Sequence, residues 1–243
     1  TIKYPCVWKK TKFGYDGYGV KILKSNDDIK NLPETEFIIE DLVPFKKELA
    51  TTIARNKSGQ IEIFPIVEMM FNEVSNQVEY VLCPAQISSE INEKAKKIAL
   101  KVSESFKQVG LLAVEMFLTH DNKILINEVA PRPHNSAHYS IESCINSQFD
   151  QHINSILDLP LGSSKSNFYA IMINLVGELG HEGKVVYEGI KEAMLIENTK
   201  LHLYGKSKTK PNRKMGHATV LDSNLENALK KAKKIKELVK VKT

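Results

Sequence analysis

Two glutamates, Glu115 and Glu128, flank Asp121-Asn122 between two apolar stretches, Ala113 to Leu118 and Ile124 to Glu128. If Asp121 and Asn122 are the central pair of a hairpin turn, cross-strand partners have numbers summing to 243, and Glu115 lies opposite Glu128. Like charges side by side on a partly buried sheet are destabilising without a cation, and Val114, Met116, Ile126 and Val129 point to such burial. Magnesium suits the pair, since it takes one or two carboxylates together with substrate phosphates. A solvent-facing pair, or another register, would leave the same pattern without a metal.

The segment Asn127-Glu128-Val129-Ala130-Pro131-Arg132-Pro133-His134-Asn135-Ser136 follows at once. Its prolines keep it irregular while it presents a guanidinium, an imidazole and an amide beside the acidic pair, a density of polar function that no core requires. His134 on its own would read as a structural histidine. Near the start, Phe13-Gly14-Tyr15-Asp16-Gly17-Tyr18-Gly19 follows Lys9. Its glycines would let backbone N–H groups approach a phosphate chain, although a plain glycine-rich hairpin reads the same way. Neither the Gly-Lys-Ser/Thr of a P-loop nor the dinucleotide-binding order of glycines is present.

The elements that must position these residues alternate between strands and helices. Strands are expected at Cys6–Trp8, Val20–Leu23 and Glu36–Val43, with Ser25 and Asp28 as a capping box between them. Thr51–Ala54 and Glu62–Val67 flank a turn at Lys57-Ser58-Gly59. Apolar residues at helical spacing from Ile91 to Val109 predict a helix ended by Gly110. A second helix is expected over Gln148–Leu157, strands at Ala170–Leu175 and Lys200–Tyr204, and a last helix from Leu225 to Leu238 capped by Ser223 and Glu226. A polar break at Ser163–Asn167 divides residues 1–162 from a smaller unit, 163–243.

The composition, 42% hydrophobic and 26% charged, is that of an ordinary soluble globular protein. The net charge of +5 gathers between Lys230 and Lys242, as expected of a solvated helix face and not of a nucleic-acid surface. Cys6, Cys83 and Cys144 lie far apart without metal-binding spacing, which fits a cytoplasmic protein without disulfides. The most apolar run, Tyr169–Val176, is too short to span a bilayer.

Taken with Val114-Glu115-Met116-Phe117, Ser147-Gln148-Phe149, Leu159-Pro160-Leu161-Gly162, Leu201-His202-Leu203-Tyr204-Gly205-Lys206 and Arg213-Lys214-Met215-Gly216-His217, these segments resemble the N5-carboxyaminoimidazole ribonucleotide synthases of the ATP-grasp family. Those enzymes are also called the ATPase subunit of phosphoribosylaminoimidazole carboxylase. The resemblance covers essentially the whole chain.

It implies an α+β, ATP-grasp fold, incomplete because the domain that the family carries ahead of Lys9 is missing, with a small β-rich C-terminal unit. It also implies a ligase of purine biosynthesis that uses ATP and Mg2+ to join bicarbonate to 5-aminoimidazole ribonucleotide, with a homodimer among the expected assemblies. Lys9 matches the lysine on the ATP phosphates, and Gly14, Tyr15, Asp16, Gly17, Tyr18 and Gly19 match the loop that covers them. Glu40, Asp41, Leu42 and Val43 match the hinge beside adenine, Glu48 the acid on the ribose, and Asn127 a neighbour of the nucleotide. Glu115 and Glu128 match the magnesium ligands. Arg132, His134 and Asn135 match residues around bicarbonate and the reacting amine, which Asp16 would help to orient. Lys206 and Arg213 match the residues that hold the substrate 5′-phosphate. Phe71 departs from the pattern, standing where many relatives have a histidine that approaches the nucleotide.

Overall fold

The structure, a computed structural model, describes residues 2–12, 19–72 and 77–243. A small antiparallel sheet forms from β1 (Cys6–Lys10), β2 (Val20–Leu23) and β3 (Phe37–Asp41), with β1 in the centre. It has its own core, in which Cys6, Trp8 and Leu23 are buried against Tyr4, Leu32 and Ile39. Between β2 and β3 a short 3-10 segment, Asn26–Asn31, begins at the expected capping box of Ser25 and Asp28.

The chain then enters a nine-stranded sheet. Its first strand, β4 (Phe45–Arg55), pairs with β5 (Ile61–Ile63), β6 (Val67–Phe71) and β8 (Gly110–Thr119). Both of its faces are covered, which is why Leu49 to Ala54 read as a continuous buried run and not as an alternation. Leu49 and Ile53 pack with Leu112, Val114, Met116 and Leu118 of β8 against α1 (Ser89–Phe106), which contributes Ile91, Ala95 and Ala99. Ala50 faces the other way, towards Tyr139. Helix α1 ends earlier than Gly110: Lys107 takes the left-handed position (φ 49°). Gly110 (φ 108°) instead opens β8, where a Cβ would come within 3.3 Å of the His152 ring.

β7 (Val78–Cys83) pairs with β6, and β9 (Ile124–Ala130) closes one edge of the sheet beside β8. After the short α2 (Ser140–Ser143) and α3 (Gln148–Ile156), β10 (Tyr169–Val176) re-enters the same sheet between β7 and a later strand. The rest of the chain adds β11 (Gly183–Lys184), β12 (Val186–Glu188), α4 (Ile190–Met194), β13 (Thr199–Leu203), β14 (Lys208–Thr209), β15 (Lys214–Asp222), α5 (Leu225–Leu238) and β16 (Lys240–Lys242). β15 lies between β10 and β13, so segments 1–162 and 163–243 share one sheet. Helix α5 lays Ala228, Ala232 and Ile235 on Ile171, Ile173, Ala218 and Val220. Its cap is Asn224, whose side chain accepts from the Asn227 N–H, and not Ser223. Among the described residues no helix is long and apolar enough to cross a membrane.

Candidate active site

The β8–β9 hairpin sets the acidic pair. Its turn is not centred on Asp121-Asn122: Thr119 pairs with Lys123 around three residues, with Asn122 left-handed (φ 60°). The ladder therefore begins one residue out of the expected register, with Leu118 opposite Ile124 and Met116 opposite Ile126. A β-bulge then leaves Asn127 as an extra residue, and Glu115 comes to face Glu128. The expected pairing holds, by two offsets that cancel.

Asn127 accepts a hydrogen bond from Lys9 Nζ at 3.0 Å, and the same ammonium is 2.7 Å from Glu40 at the end of β3. Lys9 thus ties the small sheet to the bulge. Glu48 lies on the acidic face too, two residues along β4 from Ala50, which pairs with Glu115. Burial first, then the charges of Glu128 and Glu48, push the Glu115 carboxyl up to about 7, while Lys214 and Arg132 pull it down. Burial raises Glu48 to about 7 as well, against the attraction of Lys9. Such a cluster of crowded carboxylates fits a hard divalent cation, and its ligand atoms are all oxygen. Among the described residues no three His, Cys, Asp or Glu side chains are grouped so as to hold a metal ion.

The irregular segment after β9 crosses this face. Arg132 is exposed, with its guanidinium 3.2 Å from the Pro133 carbonyl. His134 Nδ1 is 2.9 Å from Ser136 Oγ and 3.6 Å from Glu115 Oε1. Asn135 turns towards β10, where its amide and that of Asn174 exchange two hydrogen bonds of 2.9 Å. Asn174, buried in the sheet, also donates to the Val78 carbonyl at 2.8 Å.

A column of imidazoles stands beside these residues. His138 stacks on His217 with centroids 4.8 Å apart, and His217 stacks on His202 at 4.6 Å. Tyr204 Oη is 3.0 Å from His217 Nδ1, and Glu142 is 2.7 Å from His202 Nε2. Burial, then the neighbouring Lys214 and His202, lower His138 to about 4; burial, then His138 and His202, lower His217 to about 3. Both rings are neutral at physiological pH. Lys206 donates to the Lys214 carbonyl at 2.6 Å, and Arg213 Nη1 donates to the Lys208 carbonyl at 2.7 Å. They share one basic loop.

The structure brings together Lys9, Glu40, Glu48, Glu115, Asn127, Glu128, Arg132 and His134. Gly14, Tyr15, Asp16, Gly17 and Tyr18 fall outside the described residues; Gly19 borders them, with a left-handed φ of 91° and its carbonyl bonded to the Lys10 N–H. Asp41 ends β3, and Leu42 and Val43 form the connection into β4. Residues 1–149 match the model of the ATP-grasp domain. The chain belongs to the ATP-grasp family.

In this ATP-grasp chain residues 170–231 also match the phosphoribosylaminoimidazole carboxylase C-terminal domain. It is 38% identical to the N5-carboxyaminoimidazole ribonucleotide synthase of Bacillus subtilis, covering 90% of this chain and 57% of that protein. It is 37% identical to the phosphoribosylaminoimidazole carboxylase of Candida glabrata, covering 95% and 41%. The chain spans about half the length of these curated relatives. The crystal structure of N5-carboxyaminoimidazole ribonucleotide synthetase from Thermotoga maritima superposes with a TM-score of 0.90 at 44% identity, covering 99% of this chain and 63% of that one. An Aspergillus clavatus enzyme solved with ADP and 5-aminoimidazole ribonucleotide gives 0.84 at 32% identity, covering 96% and 62%.

Sequence reasoning missed the roles of His138, Glu142, Asn174, His217 and Lys214. Only the last two sat in a recognised motif, Arg213–His217, and there the arginine alone received a function. What joins them is strand pairing, with His202 and Asn174 both opposite His217, together with side-chain contacts of His138 and Glu142, which no spacing along the chain reveals.

Proposed function

We propose that this chain carries the nucleotide and acceptor sites of an N5-carboxyaminoimidazole ribonucleotide synthase, which carboxylates 5-aminoimidazole ribonucleotide with bicarbonate at the expense of ATP. The observation that carries the reading is the opposed Glu115–Glu128 pair beside Lys9, set on a sheet that continues into the C-terminal domain typical of such enzymes. Glu115 and Glu128 would hold magnesium, which when bound neutralises charge on the phosphate chain. Lys9 reaches the same phosphates, and Asn127 and Glu40 hold its ammonium in place. Glu48 takes the ribose, and Glu40 to Val43 line adenine.

Bicarbonate attacks the γ-phosphorus, giving carboxyphosphate and ADP; the exocyclic amine of the imidazole nucleotide then takes the carboxyl group and phosphate leaves. Arg132 supplies positive charge next to the carboxyl intermediate and His134 a hydrogen bond. Lys206 and Arg213 bind the 5′-phosphate, for which a lysine and a forked guanidinium are complementary. The reading extends to a cytoplasmic homodimer, in keeping with three free cysteines.

The test is ADP release and carboxylated product measured with bicarbonate and 5-aminoimidazole ribonucleotide, against formate with glycinamide ribonucleotide. Turnover only with formate would replace this reading with that of another ATP-grasp ligase. Because the chain spans about half of its relatives, a second reading is a nucleotide-binding portion that turns over only with further residues. MgATP binding by calorimetry without ADP release supports that reading.

A further inference from the structure

Helix α3 is amphipathic in the unusual sense. Its buried residues are Gln148, Gln151 and Ser155, while Phe149, Ile153 and Ile156 are exposed. An unpaired buried amide is costly; Gln148 is paired through both its oxygen and its nitrogen, while Gln151 is paired through its nitrogen alone.

The partners of Gln148 are specific. Its Oε1 accepts from the His134 N–H at 2.8 Å and its Nε2 donates to the His134 carbonyl at 3.0 Å, so the amide embraces that residue's backbone as a neighbouring strand would. The same Nε2 lies 2.8 Å from His138 Nδ1, which must therefore be an acceptor and leave the ring proton on Nε2. Gln148 is itself anchored: Ser147 and Asp150 form a capping box, and the Gln148 N–H donates to Ser140 Oγ at 2.9 Å. One turn on, Gln151 donates to the Gly162 carbonyl, and Gly162 packs so closely on Asn146 that a Cβ would lie 2.2 Å from its amide nitrogen. The motifs Ser147-Gln148-Phe149 and Leu159-Pro160-Leu161-Gly162, to which the reaction assigns no group, thus form one brace behind His134.

We propose that Gln148 is a positioning residue, which aims His134 at the acidic pair and fixes the proton of His138, and so couples ATP cleavage to carboxyl transfer. The proposal rests on the reaction given under Proposed function. Gln148 is fully buried and so presents no surface to a bound substrate. Its effect is transmitted by the His134 backbone on one side and by the His138, His217 and His202 column on the other.

Gln148→Glu and Gln148→Leu are compared with the wild type. The first keeps the shape and the acceptor but loses both donors; the second loses all three bonds. Product formed per ADP should fall about tenfold in both, the factor that one buried hydrogen bond carries, while the Michaelis constant for MgATP stays within about twofold. Nitrogen-15 spectra of the imidazoles should show His138 losing its single tautomer. Wild-type coupling in Gln148→Glu would overturn the proposal, since a space-filling residue tolerates that change. A Michaelis constant for MgATP that rises in step with the lost coupling would overturn it too, by moving the effect to the nucleotide. If the wild type itself forms no product, the reaction fails and the spectra decide alone: unchanged His134 and His138 signals reject the role of Gln148, and displaced signals support it.

Discussion

Glu115 faces Glu128 because Asn127 is the extra residue of a β-bulge, and the side chain that the bulge frees is the one that holds Lys9. Glu128→Gln keeps the shape of this arrangement and removes one charge. Magnesium-dependent turnover should be abolished with the fold intact, Glu115→Gln should match it, and the double substitution should cost no more than either alone, because all three remove the same ion. Unchanged metal dependence in the ADP assay would refute the site.

The same pair makes stability depend on pH. Glu115 is raised from 4.5 to about 7 in the folded chain, so its contribution is complete below about 4.5 and lost as pH rises through about 7. Glu115→Gln should therefore gain melting temperature over the metal-free wild type as pH goes from 5 to 8. The gain should reach several degrees, since each kcal/mol is worth about 2–4 °C at this length. Calorimetry across that range gives the answer, and a difference that does not grow with pH would contradict the burial of Glu115.

His134→Ala should uncouple the enzyme. ADP should still form, because the imidazole lies beside the carboxylates and not on Lys9, while carboxylated product falls and wasted hydrolysis rises. A strictly proportional loss of ADP and product would argue against the assigned place.

Lys206→Ala and Arg213→Ala should each weaken binding of the imidazole nucleotide by about 1.5–3 kcal/mol, the range for a charge-assisted hydrogen bond. That is about a 10- to 150-fold rise in its Michaelis constant, with the constant for MgATP unmoved. An unchanged value would return both to a solvated loop, in which Lys206 bonds to the Lys214 carbonyl and Arg213 to the Lys208 carbonyl.

Asn174→Leu should destabilise the protein by about 2–3 kcal/mol, because it leaves the Asn135 amide and the Val78 carbonyl without their partner. Urea unfolding of Asn174→Leu, Asn135→Leu and the double variant measures it, and the double should fall short of the sum.

Much of the site was legible where local chemistry decides it. The capping box at Ser25 and the face of α1 follow from spacing over a few residues, whereas the facing carboxylates were reached through a turn that the chain does not make, corrected by the bulge at Asn127. Strand β15 was not among the expected strands; Gly216 sits in it because the His202 carbonyl lies 2.5 Å from where a Cβ would stand. The cap of α5 was displaced by one residue because Asp222 accepts from the Asn224 N–H, which fixes the turn ahead of the helix. Asn174 and the three stacked histidines were illegible for a different reason: their partners lie 10 to 96 residues away, and only the folded chain brings them together.

The separate core of the small sheet has a mechanical consequence. β10 is laced into the large sheet by hydrogen bonds to β7 and β15, so residues 1–162 and 163–243 do not swing on one another without unzipping a ladder. Among the described residues the β1–β3 layer shares no strand pair with that sheet, and Cys6, Trp8 and Leu23 are buried in a core of their own. The layer joins the large sheet through Leu42-Val43-Pro44, so the bond from Lys9 to Asn127 acts as a latch between two layers that carry separate cores.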